Sequence, residues 1–181
     1  MPLSAPAARE SLHTRQIDCR GFQRQDGLWD IEAHLTDVKS YEIESDWRGR
    51  LAPGEPVHDM WVCLTLDDDL RIQAIETVLD STPYGLCSNV AENFQALVGL
   101  RIALGWIRQV KSRVGGISGC THIRELMGVL ATVAFQTIFS LREKELMAAG
   151  DRRPPMLNSC HAWDSFGPVV KAQYPAWYTG D

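Results

Sequence analysis

From Trp29 the chain alternates: Trp29, Ile31, Ala33 and Leu35 are apolar, while Asp30, Glu32, His34 and Thr36 between them are polar. Successive side chains on an extended strand point to opposite faces, so this stretch predicts a strand with one face buried and one wet. A second such strand runs from Val57 to Leu66, with Met60, Val62, Leu64 and Leu66 as its apolar set. Asp67-Asp68-Asp69 then reads as a polar turn, and Leu70, Ile72 and Ala74 resume the alternation, which predicts a hairpin. Between the two strands, Glu42 to Pro56 carries Gly, Pro and charges, and reads as a loop that could serve as a lid.

Beyond Pro83-Tyr84-Gly85 the period changes. Leu100, Leu104, Ile107, Val110 and Val114 fall on one face of a helix and Arg101, Arg108 and Lys111 fall away from it, with Gly115-Gly116 as the stop. A longer helix is expected from about Thr121 to Met147, and a short one near Pro168 to Gln173. These elements predict an α+β fold, an antiparallel sheet in the N-terminal half packed against helices of the C-terminal half. The expected organisation is one domain over 1–181, with 1–14 a flexible N-terminus, 15–80 β-rich and 81–181 helical.

Composition narrows the class without naming an activity. The chain has 181 residues, 45% hydrophobic and 23% charged, which is ordinary for a globular protein. Its net charge of -5 argues against a sequence-independent grip on nucleic acid. The first residues lack the apolar core of a signal peptide. The apolar run Leu126 to Leu141 is broken by Gly128, Thr132, Gln136, Thr137 and Ser140, so a buried helix is expected there and not a membrane span. Five cysteines, Cys19, Cys63, Cys87, Cys120 and Cys160, are odd in number and lack any CxxC spacing, which points to a reducing, cytoplasmic setting. A homo-oligomer stays open.

Candidate chemistry follows from parity and position. His58 lies on the apolar face of its strand, at the entrance, where an imidazole is either a partnered core group or points into a pocket. His34 and His13 read as solvent-exposed. In Gly115-Gly116-Ile117-Ser118-Gly119-Cys120-Thr121-His122, Cys120 is expected at a helix N-terminus, where a thiolate is favoured. His122 falls in the first helical turn with Glu125 on its side, continuing a stripe of Leu126, Val129, Val133 and Gln136, and a His–Glu pair at that spacing can orient a base. The glycines follow a helix and lack a P-loop lysine, so no nucleotide is expected. Lys39 and Tyr41 share a parity at the end of the first strand and form a possible oxyanion pair. Asp59, Trp61, Tyr84 and Trp163 are candidate substrate contacts, an aromatic wall suiting a flat molecule, with Trp61 and Asp59 on the face opposite Met60 and exposed unless the loop from Glu42 covers them. Trp29 and Trp106 read as packing. Cys120, His122, Cys160 and His161 carry the donor types of a zinc or iron centre, without the tight spacing of a zinc motif.

Five ordered motifs, DGLWDIEAHLTDVKSY (Asp26 to Tyr41), PGEPVHDMWVCLTLD (Pro53 to Asp67), PYGLC (Pro83 to Cys87), GGISGCTHIREL (Gly115 to Leu126) and SCHAW (Ser159 to Trp163), resemble a proteobacterial domain family of unknown function. The chain also resembles the lyases that release formaldehyde from lignin-derived aromatic dimers. That resemblance implies a cofactor-independent carbon–carbon lyase acting on a phenolic small molecule. In it His58, His122 and His161 would exchange protons with Cys120 beside them, and Lys39, Tyr41 and Tyr84 would hold oxyanions. The alternative is a metal-binding or redox-sensing protein centred on Cys120, His122, Cys160 and His161, with zinc or iron.

Overall fold

The computed structural model describes residues 4–148 and 153–180, with the backbone alone at 143–148. Four long strands, β1 (His13–Gln23), β2 (Trp29–Lys39), β5 (Pro56–Leu66) and β6 (Ile72–Ser81), form an antiparallel sheet in the order β1-β2-β5-β6. A small hairpin of β3 (Ile43–Ser45) and β4 (Gly49–Leu51) occupies the connection from β2 to β5. Helix α1 (Trp106–Val114) and the first 18 residues of α2 (Thr121–Ala148) contribute to the same core as the sheet's apolar face. The fold is α+β, as the two periodicities predict.

The alternation in β2 sets the core. Trp29, Ile31, Ala33 and Leu35 are buried and meet Val62, Leu64 and Leu66 of β5, whose own apolar set lies on the same face. Above them lie Ile123, Leu126, Met127, Leu130, Ala134 and Ile138 of α2, all 0–2% exposed. These positions recur every three to four residues, the spacing of one helical face. The buried stripe is therefore not the one read from His122: Val129 and Gln136 face out, and His122 sits at the stripe's edge. Thr121–Arg142 is long and apolar enough to cross a membrane, but its apolar residues on one face are spent on this core.

Two further elements differ from expectation for local reasons. In β6 the buried residues are Ile72 and Ile75, and Ala74 is exposed, because the register shifts between Thr65 and Leu66 and inserts Gln73 into the ladder. Such a bulge reverses the parity of everything beyond it. Leu70 belongs to the turn, at φ 61°. The helix read from Leu100 begins only at Trp106. Leu104 is fully exposed and Ile107 half-exposed, while Trp106, Val110 and Val114 form the buried stripe, and the indole N–H of Trp106 donates to the Met127 carbonyl at 2.9 Å. Strand β1 has no clean alternation, and the hydrophobic pattern does not predict it. It is held by its ladder to β2 and by a close approach to α2 at Gly21, where a Cβ would lie 2.9 Å from Thr137 Cβ. Gly21→Ala is expected to lower stability by about 1–3 kcal/mol in a thermal or urea melt, with Thr137→Ala restoring part of it.

The chain divides into two compact units, Met1–Ile138 and Phe139–Asp181. In the second, α3 (Pro168–Gln173) starts where the sequence predicts, and Trp163 packs against Tyr174 at 5.7 Å between ring centres. Asn158, at φ 61°, accepts from the Ser165 N–H. The first half of the linker Gly150 to Pro155, residues 150–152, falls outside the described residues.

Candidate active site

The apolar row of β2 ends in a carboxylate. Asp37 has the parity of Trp29 to Leu35 and is 1% exposed, so it must be paired. Arg15, directly opposite on β1, donates to both of its oxygens, each at 2.8 Å, in a bidentate fork. The same guanidinium reaches Glu125 of α2 at 2.9 Å. His13 Nε2 approaches Asp37 Oδ1 at 3.2 Å, and His58, opposite Asp37 on β5, brings Nδ1 to 3.0 Å from Oδ2. His122 enters from the first turn of α2, with Nε2 3.9 Å from the same oxygen and its ring 3.8 Å from that of His58, tilted by 37°. Its other nitrogen faces the Cys120 sulfur at 3.7 Å. Three strands and a helix thus converge on one buried anion.

The electrostatics keep these groups in defined states. Burial pushes Asp37 up, but the Arg15 fork, aided by His58 and His13, outweighs it and holds the carboxyl below its usual range. Burial pushes the imidazole of His58 down, and His122 beside it pushes further, against the pull of Asp37. His122 is pushed down by burial and by Arg15. Both imidazoles therefore favour the neutral form, the one that can take a proton or bind an ion.

His58 and His122 form one wall of a cavity of about 380 Å³, lined also by Met60, Pro83, Tyr84, Leu86, Cys87, Val90, Gly119, Cys120 and Thr121. That volume lies at the small end of ligand sites, and polar groups gathered on one wall of an apolar cleft are their usual form. Tyr84 is half-exposed at the rim, edge-on to Trp47 at the tip of the β3–β4 hairpin, 6.4 Å away. Gly119 allows the approach of α2: a Cβ there would run into the carbonyl of Val114 at the end of α1. Gly115 is packed in the same way against the Lys111 carbonyl, while Gly116 serves the turn at φ 59°.

Residues 13–136 match the family described as "Protein of unknown function (DUF2889)". The chain belongs to that family. No curated protein and no solved structure matches it. The DUF2889 match contains Arg15, Asp37, His58, Cys120, His122 and Glu125, and it ends before SCHAW.

Several residues of this DUF2889 member lie elsewhere than the sequence suggests. Asp59 and Trp61 face the opposite side of the sheet from His58. There Asp59 Oδ1 accepts from the His34 Nε2–H at 2.7 Å, and the His34 ring stacks flat on Trp61 at 3.7 Å. His34 is therefore half-buried and partnered, and Trp61 keeps its outer surface exposed beyond that stack. Trp61 lines a separate cleft with Glu32, Cys63 and Glu76, where burial, then Asp30 and these two carboxylates, push the Cys63 thiol up to about 12. His13 is exposed, as the sequence suggests, and its Nε2 also reaches the Asp37 cluster. Glu125 pairs with Arg15 and not with His122. Lys39 and Tyr41 follow Asp37 but do not line the cavity, and Tyr41 is half-exposed. Cys160, His161 and Trp163 belong to the second unit, and Cys160 and His161 are exposed. Asp37 and Arg15 are absent from the residues that the sequence singles out, although a carboxylate in phase with four buried apolar residues is a signal for the first.

Proposed function

We propose that this protein is a small-molecule lyase acting by proton transfer on a phenolic, lignin-derived aromatic substrate, with formaldehyde as the released fragment. The observation that carries the reading is the pair of imidazoles, His58 and His122, backed by the buried Asp37 and opening onto an apolar cavity. A phenolic ring would lie against Met60, Leu86 and Val90, which line the cavity, and its reacting hydroxyls would meet the histidine wall. Loss of a benzylic hydroxyl as water gives a quinone methide. A base then removes the proton of a hydroxymethyl group, the bond from that carbon to its neighbour breaks, and formaldehyde leaves. The electron pair passes into the quinone methide and restores the phenolate, which is reprotonated. Positioned acid–base groups contribute about 10²–10⁴-fold to such steps. Tyr84 at the rim is the phenol-side donor in this scheme, and Lys39, Tyr41 and His161 have no part in it. The five free cysteines accord with a reducing, cytoplasmic setting.

A metal centre on Cys120, His122, Cys160 and His161 has less support, since the donors that converge among the described residues are Asp37, His58 and His122. The test is formaldehyde release from a phenolic diaryl propanoid carrying both a benzylic hydroxyl para to the phenol and a free hydroxymethyl group on the next carbon. One formaldehyde per substrate is expected, and His122→Ala should slow release at least ~100-fold. Undiminished release by that variant, or none from the wild-type chain, rejects the reading.

A further inference from the structure

We propose that Asp37, His58 and His122 form a three-ligand site for a divalent first-row transition ion, open on its cavity side. The donors come from β2, β5 and α2, so the sheet register and the docking of α2 fix their spacing. All three lie within 4.8 Å of one another, with His58 Nδ1 3.0 Å and His122 Nε2 3.9 Å from Asp37 Oδ2. Ion–ligand bonds of about 2.0–2.2 Å at tetrahedral angles set donors roughly 3.4 Å apart, between those two edges. Two imidazoles and a carboxylate suit zinc, iron or cobalt, and three protein ligands with one position left open are the pattern of catalytic sites.

A separate observation points to an occupant. His58 Nδ1 is buried and its one close polar neighbour among the described residues is Asp37 Oδ2 at 3.0 Å, a contact too poorly aligned to satisfy it fully as a hydrogen bond. A buried polar atom left unpaired costs stability, and an ion shared with Oδ2 would satisfy it. The lone pairs of Asp37 agree. Arg15 takes one from each oxygen and His13 approaches Oδ1, which leaves the second pair of Oδ2, the oxygen facing both other ligands. Asp37 and Glu125 against Arg15 leave a net negative charge at the site before any ion arrives.

The site as such does not depend on the lyase reading. Only its catalytic meaning rests on it: a bound ion would hold a water or substrate oxygen where that reading places its base. The test is cobalt(II) titration of the full-length, metal-stripped chain, followed by the visible bands that cobalt gains on leaving an all-water shell. One ion per chain is expected, displaced by zinc. His122→Ala should weaken binding ~100-fold or more, at or beyond the range set by loss of a supporting hydrogen bond to a ligand. His34→Ala, on the other sheet face, should leave it unchanged. His122 is partly exposed, so its variant should keep the fold, as circular dichroism can show. Absence of the bands, or equal affinity in His122→Ala, overturns the proposal. Formaldehyde release by a chain that binds no cobalt would discard the metal and keep the lyase, and cobalt binding without release would do the reverse.

Discussion

Asp37→Ala is expected to lower the unfolding free energy by about 3 kcal/mol, near the lower end of what breaking a buried ion pair costs. The carboxylate is 1% exposed and accepts both arms of the Arg15 fork, with His13 beside it. Without it the guanidinium keeps only Glu125, and the edge strand β1 loses its main side-chain tie to the sheet. The loss stays near the lower end because Arg15 is one-third exposed and can rehydrate. Asp37→Asn, which retains one acceptor, should recover part of it. The pH dependence has a fixed sign. Asp37 titrates below its ordinary 3.8 in the folded chain, so its contribution is complete above that value and is lost as pH falls through the lower, folded one. The gap between wild type and Asp37→Ala should therefore narrow in melts below about pH 4. Melts that differ by under about 1 kcal/mol at neutral pH would mean that the fork does not hold β1.

The elements with strict periods are legible in the order of residues alone. β2 and β5 alternate cleanly because one face of each is core and the other is wet, and α2 carries a run of apolar residues too long for a strand. β1 is not legible in this way. It is an edge strand whose residues are mostly exposed, so its sequence answers to pairing with β2 and to the contact at Gly21, and neither leaves a period. The bulge in β6 is equally hidden, because a register shift arises between strands and not within one.

The site divides along the same line. His58 stands out because its parity sets a polar group on an apolar face, and His122 because it opens a helix beside a sheet. Asp37 satisfies the same test as His58, yet Lys39 and Tyr41, which follow it, draw the attention as a charged and phenolic pair and do not line the cavity. Arg15 escapes this test, since its role depends on standing opposite Asp37 across a ladder that leaves no mark in the hydrophobic pattern. Asp59 and Trp61 enter the pocket reading only if the loop from Glu42 folds over the outer face. Adjacent strand positions face opposite ways, which excludes Asp59 and Trp61 from His58's face by parity alone.

That parity yields the sharpest contrast in activity. β2 and β5 carry two histidine–aspartate pairs: Asp37 with His58 on the helix-covered face, and His34 with Asp59 on the other. The second pair is the shorter, 2.7 Å against 3.0 Å, so contact distance alone would favour His34 as the functional imidazole. Surroundings favour His58. It opens on the cavity and sits against a second imidazole, whereas His34 is closed over by Trp61 and faces no described cavity. His58→Ala is expected to lower the rate of formaldehyde release about 10²–10⁴-fold, whether the ring moves the proton itself or holds an ion that does. His34→Ala should leave that rate nearly intact and instead cost about 0.5–1.5 kcal/mol of stability through the lost stack on Trp61. Rate and melting temperature measured on both variants separate a reacting pair from a packing pair. Equal losses of rate would remove the inner face as the site, cavity and second imidazole notwithstanding.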